Sequence, residues 1–402
     1  MELRTIAHLE KELETNEQSF EGKTILIRVD YNVPMNEKRE ITDHTRIVTS
    51  FPTIQYFLEQ KAKIVLCAHL GRPKGTKNPK LSLQTVGEYL ADKLDLTILF
   101  CDVMEEPSTL TRELKSDQIV LLENLRFHPG EKANDKVFAS KLGLCADFYI
   151  NDAFGVLHRK AASVHALPKI FPRSNKAVGL LVEKEYQALE KVLQPWLGKT
   201  VAVIGGAKVS DKIIMIENFS RRCSDILIGG AMAYTFLAAK GEEVGKSRIE
   251  NDKIQVAKEI ITICKKRGVN LHLPIDHIGG ATFAEDAEPV ITDILSEELM
   301  GLDIGPKTLN KYSELIKEAA CVFWNGPMGV FEWENYSAGT KGIAEALSEC
   351  DGYTVVGGGD SAAAVVLFEL ADKMNHVSTG GGASLALLEG SPLPGLDFLQ
   401  VR

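Results

Sequence analysis

Five arginines and two histidines stand at or just beyond the ends of short apolar runs in the first half of the chain. Arg28 lies within the run Thr24–Val29, which is followed by Asp30-Tyr31-Asn32, and Arg46 opens the helical pattern after that loop. His69 and Arg72 follow the run Lys63–Ala68, Arg126 follows Gln118–Leu122, and His158 and Arg159 follow Phe148–Ile150. A guanidinium is a planar fork of donors that matches carboxylate and phosphate. Any one of these arginines has an ordinary reading as a surface or salt-bridging residue. Gathered on one edge they would repel each other, and a polyanionic ligand would offset that repulsion. Asp30 and Asn32 admit two readings of equal weight: a side-chain-stabilised turn, or hydrogen bonding to a substrate hydroxyl.

The second half carries glycine clusters at corresponding places: Gly205-Gly206-Ala207-Lys208 leading to Lys212, Gly229-Gly230-Ala231, Gly357-Gly358-Gly359-Asp360-Ser361 and Gly380-Gly381-Gly382. Glycine permits close backbone approach, and a following helix start offers free N–H groups to phosphate. One such cluster is by default a tight turn; the repeated occurrence, with Lys208 and Lys212, favours a nucleotide. Asp360 is a candidate magnesium ligand, because magnesium takes few carboxylates and completes its shell with phosphate and water.

Two motif matches are rejected. Gly241 to Ser247 imitates a P-loop, but three residues instead of four separate its glycines, and a helical pattern precedes it. Gly357 to Ala362 fits the loose dinucleotide pattern but falls late in its domain, without the following acidic position. No G-x-S-x-G or H-E-x-x-H string occurs. His272, His277 and His376 lack metal-ligand spacing.

Elements of a particular kind must position these residues. The first half alternates apolar runs (Thr24–Val29, Lys63–Ala68, Leu96–Phe100, Gln118–Leu122, Phe148–Ile150) with helical patterns near 44–60, 82–94, 105–115 and 133–143. The second half does the same, with runs Thr200–Ile204, Asp225–Ile228, Asn270–Leu273, Cys321–Trp324 and Thr354–Val356. Its helical patterns lie near 209–222, 231–240, 252–267, 308–319, 338–350 and 360–371. Most runs lack period-two alternation, as strands covered on both faces should. The reading is α/β, two doubly wound parallel-sheet domains joined by a helical connector and hinge, with ligands beyond the carboxyl ends of the strands. The expected boundaries are 1–180, a connector at 181–198 whose helix Pro195 ends, a second domain at 199–390, and a tail at 391–402.

Composition closes off other classes. The 402 residues are 45% hydrophobic and 25% charged, an ordinary globular balance. No apolar run is long enough for a membrane span, and the charged N-terminal stretch lacks the core of a secretory signal. Seven cysteines without a C-x-x-C pair speak against a disulfide framework or zinc ribbon and for a reducing, cytoplasmic setting. Residues 1–180 hold 25 basic and 24 acidic groups and residues 181–402 hold 21 and 31. The resulting net charge of −9 argues against general nucleic-acid binding.

Taken in order, the strings RVDYNVP, HLGRP, LLENLRFHPGE, NDAFG, GGAKVSDK, GLDIGPK, WNGPMGVFEWE, GGGDSAAA and STGGGASL span nearly the whole chain and resemble the phosphoglycerate kinase family. The resemblance implies reversible phosphoryl transfer between 1,3-bisphosphoglycerate and MgADP, giving 3-phosphoglycerate and MgATP, by a monomer. It implies that Asp30 and Asn32 take the substrate's hydroxyl and carboxylate region, that His69, Arg72, Arg126 and Arg159 hold its phosphate, and that Arg46 lies nearest the reacting group. It places Lys212 at the nucleotide phosphates, Asp360 at Mg2+ and Glu332 at the ribose. Gly229, Gly230, Gly301, Leu302 and Asn325 would border the nucleotide, with Gly357, Gly358, Gly359 and Ser361 in its phosphate loop. Lys208 and Gly380, Gly381 and Gly382 would cradle the migrating group, and the tail after Ser391 would return to the first domain. The chain departs from the family's H-R-A-H-A-S at Lys160-Ala161 and from its triple glycine at Ala231. Two rivals are a nicotinamide-dependent oxidoreductase, whose fingerprint is absent at either domain start, and a catalytically silent scaffold, against which Arg46, Lys208, Lys212 and Asp360 all stand.

Overall fold

The structure, a computed structural model, describes residues 1–102, 107–115 and 117–401. The chain divides into one unit of Met1–Gln187 with Pro392–Arg402 and a second of Ala188–Ser391.

In the first unit, β1 (Thr24–Val29), β2 (Lys63–Cys67), β3 (Thr97–Cys101), β4 (Gln118–Leu122), β5 (Phe148–Asp152) and β6 (Lys176–Val178) form a sheet in the order β3-β4-β2-β1-β5-β6. Its pairings are parallel, with Arg28 beside Cys67 and Asn151. Ile25, Leu26, Ile27 and Val29 are all buried, so both faces of the central strand are covered and apolar residues occupy every position but Thr24 and Arg28. The helical pattern near 44–60 resolves into Thr45–Val48 and Phe51–Glu59. Pro52 has no N–H with which to continue the first helix, and it sits where a new one can start. Of the pattern near 105–115, Pro107–Arg112 is helical, and residues 105–106 lie outside the described residues.

In the second unit, β7 (Thr200–Ile204), β8 (Asp225–Ile228), β9 (Asn270–His272), β13 (Cys321–Asn325), β14 (Tyr353–Gly357) and β15 (His376–Val377) form a parallel sheet in the order β15-β14-β13-β7-β8-β9. A further antiparallel sheet, in the order β11-β10-β12, comprises β10 (His277–Gly280), β11 (Val290–Thr292) and β12 (Met300–Ile304). The sequence reading has no counterpart for it. Glycines at 279, 280 and 301 break its apolar pattern, and packing requires those at 280 and 301. At Gly280 an added Cβ would lie 2.6 Å from the Tyr336 hydroxyl.

The helix Leu180–Leu193 spans the division between the units and ends before Pro195. Val182, Tyr186, Leu189 and Val192 are buried along one stripe, and Glu183 and Lys191 sit at the ends the helix dipole favours. Its start is anchored by Asp152, which accepts from the Leu181 amide at 2.9 Å. The run Phe148–Ile150 therefore extends two residues, and Asp152 serves the helix instead of a ligand loop. The tail packs on the first unit: Leu3 pairs with Gln400, and the Gly395 amide donates to the Leu157 carbonyl at 2.9 Å.

Candidate functional site

At the carboxyl ends of β1, β2, β4 and β5, one cluster collects Asp30, Arg46, His69, Arg126 and Arg159. Arg46 donates to the Asp30 carboxylate at 2.8 Å. The Asn32 side-chain oxygen accepts from the Gly71 amide at 2.8 Å, and Arg126 donates to the Gly71 carbonyl at 2.7 Å, so the loops after β1, β2 and β4 fix one another. Arg126 is pulled down to about 10 by burial and by Arg159 and Arg28. Arg159 is exposed and donates to His158 Nε2 at 3.1 Å. Arg72 is exposed and has no hydrogen bond or ion pair with another described residue.

Arg28 corrects the sequence reading. It is buried inside the sheet and does not stand at the ligand edge. Its Nε donates to Ser163 Oγ at 2.9 Å, and Ser163 is itself held by the Glu131 carboxylate. Another of its nitrogens lies 3.0 Å from His69 Nδ1. A guanidinium only donates, so Nδ1 must accept and the His69 proton resides on Nε2. That Nε2 is buried and has no partner among the described residues. An unmet buried donor costs roughly 1–3 kcal/mol, and His69 stays neutral, its pKa driven well below the ordinary histidine value by burial and by Arg28, Arg126, Arg159 and Arg46. A neutral N–H donor among guanidiniums is an arrangement that can receive an anion.

The second unit holds a cleft of about 430 Å³. Gly206, Gly230, Ala231, Gly301, Leu302, Glu332 and Asp360 line it, with an apolar wall of Tyr234, Phe283, Met300, Met328 and Val330. Gly301 has no room for a side chain, since a Cβ there would fall 1.8 Å from the Tyr234 hydroxyl. Asn325, at the end of β13, is buried; its oxygen takes the Lys212 ammonium and its Nδ2 donates to the Gly357 carbonyl at 2.6 Å. Asn325 thus positions Lys212 and the Gly357–Gly359 turn. Ser361 Oγ accepts from the Gly326 amide, and an added Cβ at Gly358 would meet Asn325 Nδ2 at 2.6 Å. Burial lowers the Lys212 pKa, opposed by Asp211, Asp360 and Glu389. Gly229 packs against Met328, and Lys208 and Gly359 are exposed. Gly380, Gly381 and Gly382 lead into the short helix Gly382–Leu388, whose Leu388 carbonyl accepts from Asn218.

Of the rejected P-loop match, Gly241 to Ser247, Lys246 lines this cleft. Ser247 Oγ accepts from the Gly301 amide at 2.9 Å, and Lys246 pairs with Glu298 at 3.1 Å. The apolar wall escaped the sequence reading because buried Tyr and Met residues look the same in a core as in a ligand slot.

A family profile described as phosphoglycerate kinase matches residues 15–391. The chain belongs to the phosphoglycerate kinase family. It is 46% identical to the phosphoglycerate kinase of Anaeromyxobacter dehalogenans, with 100% of each chain covered. It is 45% identical to that of Clostridium botulinum, covering 94% of this chain and 96% of the relative. Among solved structures, phosphoglycerate kinase from Coxiella burnetii superposes with a TM-score of 0.86 at 35% identity, covering 96% of this chain and 97% of the other. The Pyrococcus horikoshii enzyme gives 0.82 at 31%, covering 96% and 98%. The chain is therefore a phosphotransferase, a kinase acting on phosphoglycerate with a nucleotide, and neither the oxidoreductase nor the silent-scaffold alternative is favoured.

Beside Leu302 in β12, Asp303 is fully buried and pushed up to about 8 by burial, against hydrogen bonds from the Gly339 and Ile304 amides. The folded state keeps this proton at pH values where the unfolded chain has lost it. The stabilisation is complete below the unfolded carboxyl's pKa, near 4, and is lost as pH rises through about 8. Asp303→Asn should flatten the fall in melting temperature between pH 5 and pH 8, measured by calorimetry, even though the Gly339 amide loses an acceptor. An unchanged slope would show that Asp303 is ionised in the fold.

Proposed function

We propose that the first unit binds 3-phosphoglycerate and 1,3-bisphosphoglycerate, that the second binds ADP and ATP, and that the phosphoryl group passes directly between them. The observation that carries this reading is the buried, unpartnered His69 Nε2–H among Arg46, Arg126 and Arg159. His69, Arg126, Arg159 and Arg72 hold the substrate phosphate, Asp30 and Asn32 take its hydroxyl and carboxylate region, and Arg46 faces the reacting phosphoryl. In the cleft, Lys212 and the turn Gly357–Ser361 take the phosphates, while Glu332 takes the ribose. Gly229, Gly230, Gly301 and Leu302 flank the base, and Lys208 and Gly380–Gly382 accompany the migrating group.

An acyl phosphate is already an activated donor, so no side-chain nucleophile is required. Catalysis is then positioning and charge neutralisation around an in-line transition state. Direct passage requires the two ligands to meet, and excluding water at that moment prevents hydrolysis.

Among the described residues no group of three or more potential ligands could hold a metal by itself. The lone, exposed carboxylate of Asp360 on the cleft wall fits a magnesium ion that arrives with the nucleotide and keeps phosphate and water as its other ligands. Such an ion would neutralise phosphate charge. Asp360→Asn should raise the magnesium concentration needed for half-maximal rate by about tenfold, read from titrations at fixed nucleotide. An unmoved titration would take Asp360 away from the metal.

The seven cysteines form no disulfide and six are buried, which supports a reducing, cytoplasmic setting. No described helix is long and apolar enough to cross a membrane. A coupled assay with 3-phosphoglycerate and MgATP tests the whole reading. Turnover that requires both is expected, and nucleotide hydrolysis indifferent to 3-phosphoglycerate would oppose it.

A further inference from the structure

The nucleotide cleft has a polar end, where Gly206, Gly230 and Asp360 adjoin the Lys212–Asn325 pair, and an apolar end walled by Tyr234, Phe283, Met300 and Leu302. Phosphates belong at the first and a flat base at the second. Two cationic side chains also line this cleft, Lys246 and Arg248. Lys246 is committed to Glu298 at 3.1 Å. Arg248 is exposed and makes no hydrogen bond or ion pair with another described residue.

The backbone that carries Arg248 is fixed beside the apolar end. The Lys246 amide donates to the Leu299 carbonyl at 2.7 Å, and Ser247 Oγ accepts from the Gly301 amide at 2.9 Å. These two contacts clamp residues 246–247 along the start of β12, next to Met300. Ser247 is itself buried, so the clamp is not a loose surface contact. An uncommitted guanidinium therefore lines the cleft, carried on backbone that is fixed beside Met300.

A guanidinium carries five donors and no acceptor. On a purine edge it finds two acceptors side by side, O6 and N7, only when position 6 is an oxo group. Adenine offers N7 alone, flanked by its own N6 donor. We infer that Arg248 reads the nucleobase and that this cleft takes 6-oxopurine nucleotides, such as GDP, at least as well as ADP. The inference rests on the reading of this cleft as the nucleotide site and adds a base preference to it.

The test measures dissociation constants of MgGDP and MgADP by titration calorimetry on the full chain and on Arg248→Leu and Arg248→Lys. The wild-type protein should bind MgGDP no more weakly than MgADP. Arg248→Leu should shift the GDP-to-ADP ratio about tenfold toward ADP, and Arg248→Lys, which keeps charge but not the fork, should shift it part of the way. Equal weakening of both nucleotides by Arg248→Leu, or an unmoved ratio, would overturn the inference while leaving the nucleotide site standing. Binding of neither nucleotide by the wild-type chain would overturn both.

Discussion

Replacing Arg46 by alanine should lower kcat by about two orders of magnitude or more, with nucleotide affinity changed by less than about twofold. Arg46 is half-buried and its ion pair with Asp30 at 2.8 Å holds it in one orientation. A charge that is oriented before the reaction begins stabilises a transition state without reorganisation at the moment of transfer, which is why such donors carry large effects. The cleft proposed for the nucleotide is lined entirely by residues of the second unit, so nucleotide affinity should have no direct dependence on Arg46. The variant also strips the buried Asp30 carboxylate of its cation, which places an uncompensated negative charge beside the anion site. KM for 3-phosphoglycerate should therefore rise along with the loss in kcat. Arg46→Lys should recover only part of the rate, because an ammonium supplies charge but not a planar fork. Steady-state kinetics with separate nucleotide titrations decide the matter, and equal losses in turnover and nucleotide affinity would contradict the role given to Arg46.

Gly326→Ala should destabilise the protein by roughly 2–4 kcal/mol and abolish measurable nucleotide binding. Gly326 has φ 98°, a conformation that side chains rarely adopt. An added Cβ would lie 2.2 Å from the Gly205 carbonyl oxygen and 2.4 Å from its carbon, and backbone cannot swing aside as a side-chain tip can. The residue is also tied at both ends. Its amide donates to Ser361 Oγ at 2.6 Å, and its carbonyl accepts from Trp324 Nε1 at 2.8 Å. Neighbouring bonds from Gly205 to Asn325 and from Gly206 to Pro327 knit the ends of β7 and β13 together. Moving Gly326 therefore moves Gly206 and Asn325, and Asn325 carries Lys212 with it. Chemical denaturation and nucleotide titration read the two effects. Because the anion cluster belongs to the other unit, 3-phosphoglycerate binding should survive wherever the protein remains folded. Native-like stability with intact nucleotide binding would show that these loops are not interlocked.

Much of this architecture is legible from the apolar runs alone. β1, β4, β7 and β8 fall on the expected residues, because strands covered on both faces must be apolar nearly throughout. The antiparallel sheet was hidden by glycines that packing demands, and β6 and β15 by their brevity. At the site, the position of an arginine after a strand says where its Cα lies but not where its fork goes. Arg28 satisfies the same pattern as Arg126, yet its donors are spent on Ser163, His69 and the backbone. The need of Ser163 and His69 for a buried partner is a tertiary fact that spacing does not encode. The reverse holds for Arg248, which follows a rejected motif and whose place at the cleft comes from the tertiary bond between Ser247 and Gly301.

In the proposed mechanism each ligand has its own unit. Hydrogen exchange of the full chain, followed by mass spectrometry with 3-phosphoglycerate alone and with MgADP alone, tests this most directly. The expected result is slower exchange in segments around Asp30–Arg46, His69–Arg72 and Arg126 with the acid, and around Gly205–Lys212, Gly301 and Gly357–Ser361 with the nucleotide. Protection of one and the same set of segments by both ligands would contradict it.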